Sequence, residues 1–372
     1  KTGLYTSPDL IDFRERIRVN GEMIDPGEAA ACAEEVKAAV AEEVSYFEFL
    51  TAMAFLHFRR QGVDIAVLEV GMGGRLDATN VVDPLVSVIT NISLEHQAYL
   101  GNSLEEIARE KGGIVKEKGA CLTAARQRPV LETLQEICRE RGAAIYRLGK
   151  EFHIRIHPDG TFSYRGIRRR QDGLVCPLAG RHQYTNAALA LGVAELIGQA
   201  GFRVEEVDVA EGLRRTRWEG RLERLGSEPV LLVDGAHNPA GAATLQRALK
   251  RDYSHRRLWL IFGVLGDKDY RAMARKLFPL ADRVVLTCPA SDRALSLETL
   301  LPVARDFHRN VEAIENPGDA LQHVLSRASG EDVVCVAGSL YLVGEIKKIH
   351  QRGALRGTAG CNGVRGRGIG SC

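Results

Sequence analysis

The sequence predicts an α/β protein of two domains, each organised around a largely parallel sheet. Three observations carry that expectation. Short β-branched runs alternate with longer stretches of helical period, the arrangement of successive βαβ units. Several of those runs, such as "PVLLVDG" and "DVVCVAG", are apolar almost without interruption, as strands buried on both faces are. The chain has 372 residues, more than one domain usually holds.

Taken in order, strands are expected at "TGLYTS", "DIAVLEV", "VSVITNI" and "GACLTA", then at "PVLLVDG", "LWLIFGV", "RVVLTC" and "DVVCVAG". The apolar period predicts helices at "FEFLTAMAFLHFRRQG", "SLEEIAREKGGIVK", "RPVLETLQEICRERG" and "QYTNAALALGVAELIGQAG". "FHIRIHPDGTFSYRG" alternates around Asp-Gly and reads as a hairpin. A second series of strands and helices begins just after "TRWEGRLE", which puts the boundary at about residue 218 and gives domains 1–217 and 218–350. Residues 351–372 lose apolar periodicity, become rich in Gly and Arg, and are expected to be a disordered tail.

Composition narrows the function. With 50 basic and 48 acidic residues the net charge is +2, so no global basic field argues for nucleic acid or a membrane surface, and any anion site must be local. The eight cysteines form no CxxC pair and read as reduced core thiols of a cytoplasmic protein. No run reaches the roughly 18 apolar residues of a membrane span.

Open α/β sheets bind ligands at the carboxyl ends of their strands. The polar residues there are Ser7, Glu69 and His96 in the first half, and Asp234, His237, Asp267 to Asp269 and Ser339 in the second. A hydroxyl, a carboxylate and an imidazole at one edge suit a hard cation, magnesium above all. Each also has a plain reading: Ser7 before Pro8 as a turn or cap, His96 as a hydrogen-bonded loop residue, Glu69 as a carboxylate paired at the end of a buried strand.

Ser103 and Glu106 form a capping-box pattern, placing Lys111 about two turns into a helix beside Gly112 and Gly113. Lys111 is either close to a bound nucleotide or a surface partner of Glu110 or Glu106. The glycines either permit close packing or end the helix. Asn186 stands near the start of an apolar helix, where its amide could read a base edge or cap. Arg221 lies at the boundary, and "VDGAHNPAGA" sets Asp234 and His237 in a strand-to-helix turn of the kind that offers N–H groups to an anion.

"LYTSPDL", "FRERIRVNGE", "YFEFLTAMAF", "LEVGMGGRLDATN", "EEIAREKGGIVK", "GRHQYTNAALA", "RWEGRLE", "DGAHNPAG" and "GSLYLVGE", in order over residues 1–350, resemble the folylpolyglutamate synthase and dihydrofolate synthase group of the Mur ligase superfamily. The resemblance implies a Mur-ligase-like fold, a nucleotide-binding parallel-sheet domain followed by a smaller Rossmann-like one. It implies an ATP-dependent ligase that phosphorylates a carboxylate and joins L-glutamate to dihydropteroate or a folate, acting as a cytoplasmic monomer. Ser7, Glu69 and His96 would hold magnesium, and Lys111, carbamylated, would help position a second ion. Asn186, Arg221 and Asp234 would contact ATP, with His237 near the phosphates. Ser45, Tyr46, Phe47 and Glu48, with Leu76, Asp77 and Ala78, would form the pterin side.

Two departures from the family pattern stand out. Asp9 occupies "SPDL" where the family commonly has His. The Gly-rich phosphate loop with its Gly-Lys-Ser/Thr signature has no counterpart, which implies that it precedes Lys1 on a further stretch of ~30 residues or more, so that the truncated chain turns over near background. Three other readings compete: another amino-acid ligase of the superfamily, an inactive folate-binding remnant, and a Rossmann dehydrogenase, the last weakened because no GxGxxG opens a helix after a strand.

Overall fold

The computed structural model describes the backbone of residues 1–360 and the side chains of residues 1–352. It divides into two compact units, Lys1–Arg217 and Trp218–Cys372.

The first unit begins with β1 (Thr2–Tyr5), β2 (Ile17–Val19), β3 (Glu22–Met23), α1 (Pro26–Ala39), α2 (Tyr46–Gln61) and β4 (Ile65–Leu68). These strands make one sheet in the order β3-β2-β1-β4, with β1 parallel to β4 and antiparallel to β2. The β2–β3 hairpin was not expected. Its signal is Asn20-Gly21, both at positive φ, as a two-residue turn matched to strand twist requires. Next come β5 (Ser87–Ile89), α3 (Gln97–Leu100), α4 (Leu104–Gly112), β6 (Ala120–Thr123), α5 (Arg128–Glu140) and β7 (Ala144–Arg147), whose strands form a parallel sheet ordered β5-β6-β7. The expected hairpin is β8 (His153–Ile156) and β9 (Thr161–Arg165), extended by β10 (Arg170–Val175). Helices α6 (Arg181–Gln199) and α7 (Glu206–Arg215) close the unit.

The second unit holds β11 (Glu223–Ser227), β12 (Val230–Asp234), α8 (Pro239–Asp252), β13 (Leu258–Phe262), α9 (Tyr270–Leu277), β14 (Arg283–Leu286), α10 (Leu297–Phe307), β15 (Val311–Ala313), α11 (Pro317–Leu325), β16 (Val333–Ala337) and α12 (Leu340–Gly360). One sheet in the order β11-β12-β16-β13-β14-β15 is parallel except for its edge strand β11. Strands β13 and β16 are buried at every residue, as their unbroken apolar runs require. Helix α12 runs past Gln351 into the stretch expected to be a tail, and the rest of that stretch lies outside the described residues.

Strand β4 departs from the same expectation. Ala66 and Val67 are exposed because β4 is the outer strand of its sheet, so an apolar run here does not mark two covered faces.

Candidate functional site

Parallel pairing sets Tyr5 opposite Leu68, so Ser7 and Glu69 leave the sheet at the same carboxyl edge. The Ser7 backbone N–H donates to Glu69 Oε2 at 2.8 Å, and the Glu69 N–H donates to the Tyr5 carbonyl at 2.9 Å. Glu69 is exposed, so it is held by this hydrogen bond and not by the burial its strand suggested. Asp9 pairs with Arg16, Nε to Oδ1 at 2.5 Å, and the Arg16 guanidinium lies 5.3 Å from the centre of the Tyr46 ring. The added acid beside Ser7 thus has its own cation.

The glycine loop after β4 is shaped by close packing. A Cβ on Gly71 would stand 2.6 Å from Phe47 Cζ, and one on Gly74 would stand 2.9 Å from the carbonyl oxygens of Glu110 and Lys111. A Cβ on Gly113 would come within 2.5 Å of Arg75 Cα. Only glycine at these positions lets the loop lie against the first turn of α2 and the last turn of α4. Arg75 ties the contact, donating its N–H to the Glu110 carbonyl at 2.9 Å and pairing its guanidinium with Glu110 Oε1 at 3.0 Å. Gly112 meets Ile137, and Gly113 is the C-cap of α4, so this pair both packs and ends the helix.

Lys111 is therefore carried to the glycine loop, and its ammonium lies 3.5 Å from Glu95 Oε1. That corrects its expected surface partners: Glu106 completes the capping box of α4 with Ser103, and Glu110 is engaged by Arg75. Glu95 precedes His96, an exposed residue held at φ 49, a left-handed conformation more readily adopted by His than by most side chains. Glu95 itself was missed, since nothing in its sequence context separates it from an ordinary loop acid.

The other first-unit positions have structural partners. Ser45 and Glu48 form the reciprocal capping box of α2. Asp77 Oδ2 accepts the N–H groups of Gly71 and Met72, both at 3.0 Å, while Oδ1 accepts from Thr79 N–H and hydroxyl, so Asp77 organises the loop. Ala78 opens the short helical turn that Asp77 caps. Leu76 is 80 % exposed and Tyr46 60 % exposed, large apolar groups with surface to offer a ligand. Phe47 packs on the loop. Beside them, Phe13, Arg14, Ala29, Tyr46, Phe49 and Met53 line a cavity of about 720 Å³. Asn186 is exposed on α6 and donates to Gln183 Oε1 at 3.0 Å.

In the second unit Asp234 ends β12. Its oxygens accept the N–H groups of Leu222 at 2.8 Å and Ala236 at 2.9 Å. Burial pushes its carboxyl above the usual range, opposed by those two N–H groups and by the Arg221 charge. A Cβ on Gly235 would collide with Leu340 Cδ2 and lie 3.1 Å from Arg221 Nη1, so glycine there lets the start of α12 pack against the turn, with the arginine beside it. His237 Nδ1 lies 2.8 Å from the Gly235 carbonyl, which can only accept, so Nδ1 carries a proton. Asn238 caps α8 and Pro239 opens it, the side chain of Asn238 accepting from Gly241 N–H at 2.7 Å. Ser339, buried after β16, accepts the Tyr341 N–H, while Asp267 pairs with Lys268 and Arg293 and Asp269 caps α9.

The donor set of Ser7, Glu69 and His96, a hydroxyl, a carboxylate and an imidazole on exposed or half-buried loops, fits a hard divalent cation that retains several waters. No helix of the described residues is long and apolar enough to cross a membrane.

Residues 32–194 match the Mur ligase middle domain, and residues 220–340 match the Mur ligase glutamate ligase domain. The chain is 33% identical to a dihydrofolate synthase/folylpolyglutamate synthase of Bacillus subtilis, over 93% of this chain and 83% of that one. It is 35% identical to a probable bifunctional folylpolyglutamate synthase/dihydropteroate synthase of Halobacterium salinarum, but spans only 43% of that longer relative. Among solved structures, the folylpolyglutamate synthase of Thermotoga maritima superposes with a TM-score of 0.83 at 36% identity, covering 95% of this chain and 82% of the other. Escherichia coli FolC in complex with DHPP and ADP superposes at 0.87 with 29% identity, over 95% and 83%. The bifunctional folylpolyglutamate synthase/dihydrofolate synthase of Yersinia pestis, complexed with AMPPNP and Mn ion, gives 0.83 at 27% identity, over 95% and 82%.

Proposed function

Because the chain belongs to the folylpolyglutamate synthase/dihydrofolate synthase family of Mur ligases, we propose that it is an ATP-dependent ligase joining L-glutamate to dihydropteroate, to a folate, or to both. In this reaction the γ-phosphoryl group of ATP passes to the substrate carboxylate, releasing ADP. The amino group of glutamate then attacks the acyl carbon, phosphate leaves, and the nitrogen loses its proton to give the amide. Such chemistry asks the protein mainly for positioning and charge neutralisation.

The observation that carries this reading is the packing of the glycine loop onto the end of α4, which gathers Glu69, the Lys111 and Glu95 pair and the turn beside Phe47 around one edge. Ser7, Glu69 and His96 are proposed to hold magnesium, which when bound neutralises phosphate oxygens. Lys111 is proposed to be carbamylated there and to help hold a second ion. Asn186 would contact the adenine, and Arg221 and Asp234 the remainder of ATP, with Arg221 supplying positive charge. His237, fixed in orientation by the Gly235 carbonyl, would lie near the phosphates and exclude water from them.

Tyr46, Leu76 and the 720 Å³ cavity beside α2 would take the pteridine, its flat ring matching the aromatic and aliphatic lining, with Phe47 and the caps Ser45, Glu48, Asp77 and Ala78 setting the shape of the entrance. The six cysteines among the described residues are free and four of them are buried, which supports a reducing, cytoplasmic setting. A monomer is proposed on the same family grounds.

The test is incubation with ATP, magnesium, labelled glutamate and either dihydropteroate or a tetrahydrofolate. Labelled product and ADP should form in equal amounts, at the near-background rate expected without a Gly-Lys-Ser/Thr loop, and Glu69→Ala should remove that residual turnover. A protein that forms no labelled product and binds neither pterin would sink the proposal. Pterin binding without turnover would instead leave a folate-binding protein.

A further inference from the structure

Helices α1 and α2 cross on the first unit with Glu28 and Cys32 one turn apart on α1 and His57 on α2 facing them. One oxygen, the Cys32 sulfur and one imidazole nitrogen all lie within 4.8 Å of one another. Cys32 is fully buried and His57 is 5 % exposed, while Glu28 is open to solvent on one side. The His57 ring carries a second and independent signal: its Nδ1 is buried with no hydrogen-bond partner. A buried polar nitrogen left unpaired costs stability unless something occupies its lone pair or takes its proton.

Arg60 shows what charge this pocket accommodates. Its Nη1 lies 3.4 Å from Cys32 Sγ and 3.8 Å from Glu28 Oε2, while its Nη2 holds Glu35 at 2.5 Å. A cation thus already sits against the thiol and the carboxylate, and it has a second carboxylate to fall back on. His57 lies twelve residues along α2 from the Ser45 cap, about 18 Å at the rise of an α-helix, but the cluster borders the cavity proposed for the pteridine, whose lining includes Ala29 beside Glu28 and Met53 one turn from His57.

We propose that Glu28, Cys32 and His57 form a transition-metal site that takes Zn²⁺ or a similar borderline-soft divalent ion, clamping α1 to α2. Carboxylate, thiolate and imidazole are three common zinc ligands, and water from the open Glu28 side completes four. Ligand atoms around a tetrahedral zinc lie roughly 3.5 Å apart at the usual bond lengths, so side-chain rotations suffice to close the present cluster. Binding releases the Cys32 thiol proton to solvent, forms bonds from sulfur, nitrogen and oxygen to the metal, and moves Arg60 wholly onto Glu35.

Cobalt(II) is the probe, because a thiolate ligand gives it a charge-transfer absorption. The full chain, stripped of metal by a chelator and kept in excess magnesium, should bind one equivalent of Co²⁺ with that absorption and melt at a higher temperature. Cys32→Ser and His57→Gln should each weaken binding by more than about tenfold and abolish the absorption or shift it strongly, and exposed Glu28→Gln should weaken binding without threatening the fold. Arg60→Gln should tighten it. Absence of a thiolate absorption in the unmodified chain would overturn the proposal. So would an absorption that survives in Cys32→Ser, or affinity unchanged in Glu28→Gln.

Discussion

At Lys111 one side chain has two possible fates. As an ammonium it lies 3.5 Å from Glu95 and needs nothing more. As a carbamate it would set a second anionic group against that carboxylate, an arrangement that repels unless a cation lies between them. Carbamylation of Lys111, followed by carbon-13 NMR with labelled bicarbonate, is therefore expected to rise on adding magnesium, and in Glu95→Gln to depend far less on it. Equal labelling with and without magnesium in the unmodified chain would remove the argument. Asp332 offers a pH-dependent counterpart. Burial alone would raise its carboxyl, but Arg257, Ser329 and Trp259 donate to it and hold it far below the usual Asp range. A depressed folded value means that its stabilisation is present above the unfolded value of about 4 and is lost as pH falls through the folded value. Asp332→Asn is expected to cost about 1–3 kcal/mol at pH 7 and progressively less towards pH 2, measured by urea melts. A cost independent of pH would be the contrary result.

At the scale of elements, the contact between the glycine loop and α4 pits local propensity against packing. Gly113 has an ordinary helical φ of −58°, so alanine would fit the backbone and by propensity would gain up to ~1 kcal/mol. Its Cβ, however, would come within 2.5 Å of Arg75 Cα, which is backbone and cannot swing away. Packing should win: Gly113→Ala is expected to lower stability by roughly 1–2 kcal/mol and to weaken magnesium-dependent ATP binding, because the loop after Glu69 must shift. An alanine variant that melts higher and binds normally would show that the loop yields at no cost. The start of α2 shows the reverse relation. There the Ser45 and Glu48 caps and the Phe47 contact with Gly71 agree, so propensity and tertiary packing fix the same turn.

For the whole molecule, the two units differ in how their apolar residues are distributed. The second is built around a single sheet: one cluster runs from Leu222 through Phe262 to Cys335 and Ala337, and the strand residues that alternate with it, Leu231, Val233, Ile261, Val285, Val334 and Val336, are buried as well. The first divides its core into clusters about α1 and α2, about α4 and α5, and about the β8–β9 hairpin. A chain beginning at Trp218 is expected to fold alone with one cooperative melt, since its strands form a single sheet and the cluster about Phe262 is made of its own residues. Failure of that piece to show a transition by calorimetry would disprove its independence. By itself the sequence determined the α/β alternation, the buried strands of the second unit, the cap at Ser103 and the polar residues at strand ends, because period, capping chemistry and turn chemistry act over a few neighbouring residues. Only the tertiary structure decided that β4 is an edge strand with Glu69 exposed, that Lys111 meets Glu95 and not a neighbour on its own helix, and that Glu28, Cys32 and His57 converge. Those facts depend on which distant segments pack together, and distance in space leaves no mark in local spacing.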